Sequence, residues 1–324
     1  MTPSPEPFGL AGKRIWVAGH RGMLGAALLR RLASVDCTVL TASRERLDLR
    51  DGGAVKAWVE ANRPQAVLLA AGRVGGIAAN IATPATFLFD NLMILANVVD
   101  AAHGGGVERL VSVGSSAVYP VDAAQPMAEG ALMTGPVDPA HEGYAAAKLA
   151  GIALTRTYAR QHGCAFLTVL PTNLYGPGGN FDPATSHVVA GLVRKVHEAV
   201  VANAAEVVMW GSGRARREFL HVDDCADACC FLLARGSPDD PVNLGSGEDV
   251  PIREVLERLC EIAGFRGRIV ADTSKPEGAQ RRLMDSGRLA ALGWRPRIGL
   301  RQGLADTYRW FAEHHAAPIG DALS

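Results

Sequence analysis

Short apolar runs of strand type recur through the first half of the chain and alternate with stretches of helical periodicity. Lys13–Ala18, Gln65–Ala71, Arg109–Val113 and Ala165–Leu170 read as buried strands, Thr38–Ala42 reads as a further strand, and helical patterns lie between them, beginning with Ala26–Ala33. Strand and helix alternate in this way as far as about Leu174, which predicts an α/β fold with a parallel sheet and ligands at the C-terminal ends of its strands. Beyond Tyr175 the chain becomes rich in Pro, Gly and Asn and then forms isolated helices and short strands, as expected of a smaller α/β lobe. No internal repeat or low-complexity segment is visible.

The first strand runs directly into Gly19-His20-Arg21-Gly22-Met23-Leu24-Gly25 and then into a helix. In that order Gly19 permits a tight turn, Gly22 lets backbone approach a pyrophosphate, and Gly25 lets helix and strand pack closely while the helix N-terminus faces the anion. An ordinary strand-to-helix turn has the same outline, so the turn gains weight only from chemistry elsewhere in the chain. The fold expected is therefore a Rossmann-type doubly wound parallel sheet with a C-terminal substrate lobe. Its expected division is residues 1–12 as a flexible tail, 13–174 as the dinucleotide domain and 175–324 as mainly the substrate lobe, with a segment near 219–247 returning to the first domain.

The strand Thr38–Ala42 ends on Ser43 and Arg44, with no acid immediately there. An acid at that point would bind the ribose hydroxyls of NAD, whereas Arg44 and a hydroxyl accommodate the 2′-phosphate of NADP, so NADPH/NADP is the expected cofactor. Glu45 is near enough that a different strand ending would reverse this. Asp48 and Leu49 are placed to contact the adenine edge, and Arg21 to touch the sugar or the pyrophosphate. The remaining cofactor candidates lie in the glycine turn and at strand ends: Met23, Leu24, Ala70, Ala71, Gly72, Pro171, Asn173 and Leu174.

Composition narrows the class. The 324 residues are 48% hydrophobic and 20% charged, enough for a large core, and 33 basic against 33 acidic side chains give a formal net charge of +0. Nothing in that balance suggests a nucleic-acid groove or an anionic membrane surface. No apolar run is expected to reach the length of a membrane helix, and Met1–Pro7 is polar and proline-rich, unlike a signal peptide, so the expected compartment is cytoplasmic. Six cysteines, at 37, 164, 225, 229, 230 and 260, show no CxxC pair and no metal spacing, so no metal is expected.

The chemistry centres on Tyr144 and Lys148 in Gly143-Tyr144-Ala145-Ala146-Ala147-Lys148. One helical turn apart, a phenol and an ammonium share a face, so the cation can favour the phenolate and make Tyr144 an acid or base. A lysine stem packed on a ring gives the same spacing. With the glycine turn upstream, hydride transfer is the reading that uses both features. Ser115 and Ser116, just past Arg109–Val113, add hydroxyls at the same edge.

Taken together these segments resemble a known family. The GxxGxxG spacing fits the extended branch of the short-chain dehydrogenase/reductases. Gly19–Gly25, Leu69–Ile77, Gln125–Glu129, Pro171–Pro177, Trp210–Gly213 and Arg217–Asp224 closely resemble the GDP-L-fucose synthase family, over nearly the whole of Ile15 to Phe311. The resemblance implies a GDP-4-keto-6-deoxy sugar substrate whose C4 ketone is reduced with NADPH after epimerisation at C3 and C5. It implies Ser115, Tyr144 and Lys148 as the reducing triad and His187, flanked by Asn180 and Pro183, as the epimerisation acid. Without those flanks His187 would read as a structural histidine. Arg217 and Arg282 match positions that contact sugar and diphosphate, Lys195 or Arg194 would reach the phosphates, Trp210 would stack on guanine, and Asn173 would fix the sugar ring or the loop beneath it. Extended reductases often pair through two helices that form a four-helix bundle, so the resemblance implies a homodimer.

One position departs from the pattern. Where the family reads Gly-Ser-Ser-Cys-Ile-Tyr-Pro, this chain has Gly114-Ser115-Ser116-Ala117-Val118-Tyr119-Pro120. The missing cysteine is the base that the family uses at C3 and C5, and a methyl group cannot abstract a proton. Loss of one positioned base typically costs on the order of 10²–10⁴ in rate. The expectation is thus a 4-ketoreductase with weak or absent epimerase activity; Ser116, or a water held by His187, would be a partial substitute. The alternatives are a full bifunctional synthase and a reductase of another GDP-4-keto sugar such as a heptose. A dehydratase would need a Thr-Asp-Glu arrangement where this chain has Ser115-Ser116-Ala117, and an intact Ser115, Tyr144 and Lys148 set argues against a pure binding module.

Overall fold

The computed structural model describes residues 8–183, 185–236, 241–274 and 279–315. Along the chain the elements are β1 (Arg14–Ala18), α1 (Met23–Leu32), β2 (Thr38–Leu40), α2 (Gly52–Asn62), β3 (Ala66–Leu69), α3 (Ile77–Ala82), α4 (Pro84–Gly104), β4 (Arg109–Val113), α5 (Glu142–His162), β5 (Ala165–Pro171) and β6 (Asn173–Tyr175). Next come α6 (Val188–Val201), β7 (Glu206–Trp210), β8 (Arg216–His221), α7 (Val222–Arg235), β9 (Val242–Leu244), β10 (Asp249–Pro251), α8 (Ile252–Ala263), β11 (Arg268–Asp272), β12 (Arg281–Arg282), α9 (Gly287–Ala291) and α10 (Leu300–His315).

Six strands form one parallel sheet in the order β2-β1-β3-β4-β5-β9. Their continuous apolar runs are explained by burial on both faces. In β1, Ile15 and Val17 join the core beneath α1 and α7, while Trp16 and Ala18 join the opposite core beneath α2 and α4, as the two-residue period of a strand requires. β9 extends this sheet from beyond α7, so the segment after β8 pairs with the dinucleotide half of the molecule. A second core, around Tyr175, Phe181, Val193, Met209, Phe219, Leu256, Leu304 and Phe311, holds the smaller lobe. There β8 lies between β10 and β12 and also pairs with β6, and β7 pairs with β11.

Two expectations are corrected. Residues 8–12, placed in a flexible tail, are docked: the Phe8 N–H donates to the Ala234 carbonyl at 3.0 Å, and the Phe8 ring lies under Lys13 and Arg109. The rest of that tail, residues 1–7, lies outside the described residues. α4 is also long and apolar enough, by length and composition, to cross a bilayer. It has that composition because its apolar residues serve two faces. Phe87, Leu95, Val98 and Val99 enter the core, and Leu88, Phe89 and Leu92 are exposed.

Phe166 on β5 is fully buried between β4 and the helices on that face. Phe166→Ala should lower unfolding free energy by about 3–5 kcal/mol, read as a fall in the urea midpoint at unchanged slope.

Candidate active site

The glycine turn has the geometry that an anion cradle needs. Gly19 sits at φ +91°, and a Cβ there would lie 2.6 Å from the Ala71 nitrogen. At Gly25 a Cβ would fall 2.0 Å from the Gly19 carbonyl oxygen, so the first turn of α1 presses against the end of β1. Gly22 caps α1 with no side-chain hydrogen bond, and the first turn carries no acid, which leaves its N–H groups for a pyrophosphate. Leu24 is buried, so only its backbone can serve a ligand.

Arg21 and Asp48 each have a charged partner beyond β2. Arg21 was expected over the sugar or pyrophosphate, but its Nη1 lies 3.1 and 3.0 Å from the two Glu45 carboxylate oxygens, beyond β2. The Ser43 hydroxyl, a backbone N–H and Arg21 hold the Glu45 carboxyl below its usual range. Arg44 is exposed alongside. Hydrogen bonds from Arg50 to Asp48 bring that carboxyl down to about 2 and turn its oxygens towards the guanidinium.

At the centre of the sheet edge stand Ser115, Tyr144 and Lys148. Lys148 is buried, its ammonium donating to the Val113 carbonyl at the end of β4, 2.7 Å away. Burial lowers its pKa to about 8. The Ser115 hydroxyl oxygen accepts the Ala117 N–H at 3.2 Å, and the hydroxyl acts on the Tyr144 phenol to lower its pKa. The expected lowering of the Tyr144 pKa by Lys148 is not what this state shows. Burial raises the phenol's pKa, the Ser115 hydrogen bond opposes this, and the ammonium sits 5.7 Å from the ring centroid, committed to Val113. Gly72 lies against the same group, where a Cβ would come within 3.6 Å of the Lys148 nitrogen and 2.8 Å of the Asn91 oxygen. Ala70 donates its N–H to the Ala18 carbonyl, and Pro171 ends β5 in a buried position.

Asn173 resolves towards the loop: its amide donates to the Glu218 carbonyl at 2.9 Å, tying β6 to β8, and Leu174 is half-buried beside it. Ser116 opens the 3-10 turn Ser116–Val118, with Ala117 half-buried at its centre. His187 precedes α6, exposed along one side. Protein packed around its remaining sides, and then the charge of His141, lower its pKa.

The substrate-lobe cations form two pairs. Arg217 and Arg282 are register partners on β8 and β12. Burial and then the Arg282 charge lower the Arg217 pKa, and Arg217 Nη1 donates to the Arg216 and Ala279 carbonyls at 2.8 and 2.6 Å. Lys195 lies 4.4 Å over the exposed ring of Trp210 and donates to the Val208 carbonyl at 3.3 Å. Arg194, its alternative, is held by Glu198 at 2.7 Å.

Sequence reading missed His141, whose Nδ1 is 3.7 Å from an Asp138 oxygen one turn before Tyr144, and missed Asp90, which bridges Arg50 and Arg73. Their partners are distant in sequence or carry no motif, so no periodicity marks them.

A profile of the NAD dependent epimerase/dehydratase family matches residues 15–245. A GDP-L-fucose synthase of Sinorhizobium fredii is 48% identical over 307 residues, 95% of this chain and 98% of that protein. Among solved structures, the NADP-bound GDP-L-fucose synthetase of Naegleria fowleri superposes with a TM-score of 0.89 at 29% identity, covering 96% of each chain. An NADP-bound GDP-mannoheptose C4 reductase of Campylobacter jejuni gives 0.86 at 33% identity, covering 93% of this chain and 98% of that one.

Because burial depresses the folded-state pKa of Lys148 to about 8, its cation is lost as pH rises through that value. kcat/KM for NADPH should fall above about pH 8, and Lys148→Arg, which stays charged, should remove that alkaline limb from the pH–rate profile whatever its absolute rate.

Proposed function

The chain belongs to the GDP-L-fucose synthase family, within the NAD dependent epimerase/dehydratase family, and we propose that it reduces a GDP-linked 4-keto-6-deoxy sugar while epimerising C3 and C5 weakly or not at all. It is an NADP-dependent nucleotide-sugar oxidoreductase, and the cofactor supplies the hydride when bound. In this reading Ser115 and Tyr144 hydrogen-bond the C4 oxygen, Tyr144 gives up its proton as the alkoxide forms, and Lys148 supplies fixed positive charge behind it. Arg217 and Arg282 take the diphosphate, and Lys195 with Trp210 lies on the guanine side.

The observation that carries the proposal is Ala117. It stands on the turn that follows Ser115, at the position where the family pattern has its cysteine, and its methyl group has no acid or base function. A second reading, the bifunctional synthase, is favoured by one observation: His141 lies near enough to His187 to depress its pKa, so two imidazoles share that region. The heptose reductase among the structural neighbours keeps the sugar itself open.

Proton NMR of GDP-4-keto-6-deoxy-D-mannose with the enzyme in D₂O decides between them. Without NADPH, little or no deuterium should enter C3 and C5, and with NADPH an unepimerised deoxyhexose should form. Ala117→Cys should raise the exchange rate by on the order of 10²-fold. Rapid exchange in the unaltered protein would establish the bifunctional reading.

A homodimer through α4 and α5 belongs to the same proposal. Ala85, Leu88, Phe89, Leu92 and Ala96 follow a helical stripe on α4, with Phe89 60% exposed, and α5 packs beside it. Light scattering should give twice 34.1 kDa, and Phe89→Glu should shift the mass towards the monomer. A cytoplasmic location accords with six free cysteines.

A further inference from the structure

α4 does more than offer an outer apolar face. On its inner side Asp90 is buried, 5% exposed, and its two oxygens serve two different arginines: Oδ1 accepts from Arg50 Nη1 at 3.1 Å and Oδ2 from Arg73 Nη1 at 3.2 Å. Arg50 follows Asp48 and Leu49 in the loop beyond β2, and Arg73 follows Gly72 in the loop beyond β3. The same helix grips both loops again by backbone. Asn91 accepts the Arg73 N–H and donates to the Arg73 carbonyl, both at 3.0 Å, and Asn97 donates to the Leu49 carbonyl at 3.0 Å.

From this arrangement we infer that Asp90 is a positioning residue for NADPH: one buried carboxylate sets the spacing between the loop at the adenine end of the cofactor and the loop at the nicotinamide end. The physical grounds are the geometry and burial of the bridge. Arg50 and Arg73 are each about two-fifths exposed, and an exposed arginine keeps several rotamers unless an anion fixes it. Arg50 in turn holds the Asp48 carboxylate, at 2.6 Å, so the carboxylate on α4 acts on the adenine edge through one intermediate side chain. At the other end, Gly72 is confined between Asn91 and the Lys148 ammonium. A dinucleotide spanning both ends gains affinity when both loops are already spaced for it, because ordering them on binding costs free energy.

This role rests on the reading of the sheet edge as an NADPH cleft, so tryptophan-quenching titration of the unaltered enzyme with NADPH comes first; failure to bind would remove the cleft itself. Asp90→Asn keeps the shape and removes the charge. Its dissociation constant and KM for NADPH should rise about tenfold, with kcat at saturating NADPH and KM for the keto sugar within about twofold, and Asp90→Glu should recover part of the loss. Unchanged NADPH affinity in a folded Asp90→Asn protein, or a fall in kcat with KM unmoved, overturns it. Should that variant not fold, Arg50→Gln and Arg73→Gln, both at the surface, provide the same test. Each should weaken NADPH binding several-fold, and no change in either overturns the inference.

Discussion

The hydrogen bond from the Lys148 ammonium to the Val113 carbonyl is the contact on which the catalytic edge depends. It joins the middle of α5 to the last residue of β4, and both Ser115 and Tyr144 take their positions from those two elements. A buried cation without an acceptor would be costly, and a hydrogen bond to a charged group contributes about 1.5–3 kcal/mol. The contact has a chemical consequence. An ammonium held by a carbonyl and shielded from water is a cation of lowered pKa, able to respond to charge that develops nearby.

A second buried group makes the two lobes one object. Glu218, wholly inaccessible on β8, accepts N–H bonds from Gly247 at 2.8 Å and Met284 at 3.0 Å, and its backbone carbonyl accepts the Asn173 amide. Burial raises its pKa while those N–H groups oppose the rise. Its neighbour Arg217 is thereby fixed on a strand bonded to β6, which continues directly from the sheet edge that carries the cofactor turn. The placement of the Arg217 and Arg282 pair relative to the sheet edge is thus set through paired strands. Asp90 performs a related service on the other side of the sheet, between two loops.

Much of this is legible in the sequence because it is local. β1, the glycine turn, β4 and β5 announce themselves through apolar runs and glycine spacing, since a strand buried on both faces must be apolar and a close backbone approach admits no Cβ. Ala117 is visible for the same reason, as one letter within a motif. The rest depends on partners far apart in sequence. Arg21 reads as a contact to the sugar or the pyrophosphate, and nothing local shows that Glu45, 24 residues on, pairs with it. Phe8 reads as tail until the Ala234 carbonyl receives it. Only the fold shows that part of the apolar excess of α4 faces outward while Asp90 and Asn91 face in. A lysine one turn from a tyrosine suggests a lowered phenol pKa, but burial of the phenol sets the opposite direction.

The two halves of the chemistry are attached to different parts of the molecule, and this explains how one can change without the other. Ser115, Tyr144 and Lys148 are bound to one another through β4 and α5, so their geometry derives from the core. Residue 117 occupies the same 3-10 turn, but its side chain forms none of the hydrogen bonds that hold the turn; these come from the Ser115 hydroxyl and the backbone. Replacing a thiol by a methyl group there leaves the reducing set intact. His187 stands on a separate loop ahead of α6, anchored to the rest by the Gly76 N–H on the Thr185 carbonyl. An imidazole in that place can still donate or accept a proton, and burial and then the charge of His141 lower its pKa. On the proposed reading, losing one member of an acid/base pair impairs proton removal and return beside the ketone first, whereas reduction needs no acid or base at residue 117.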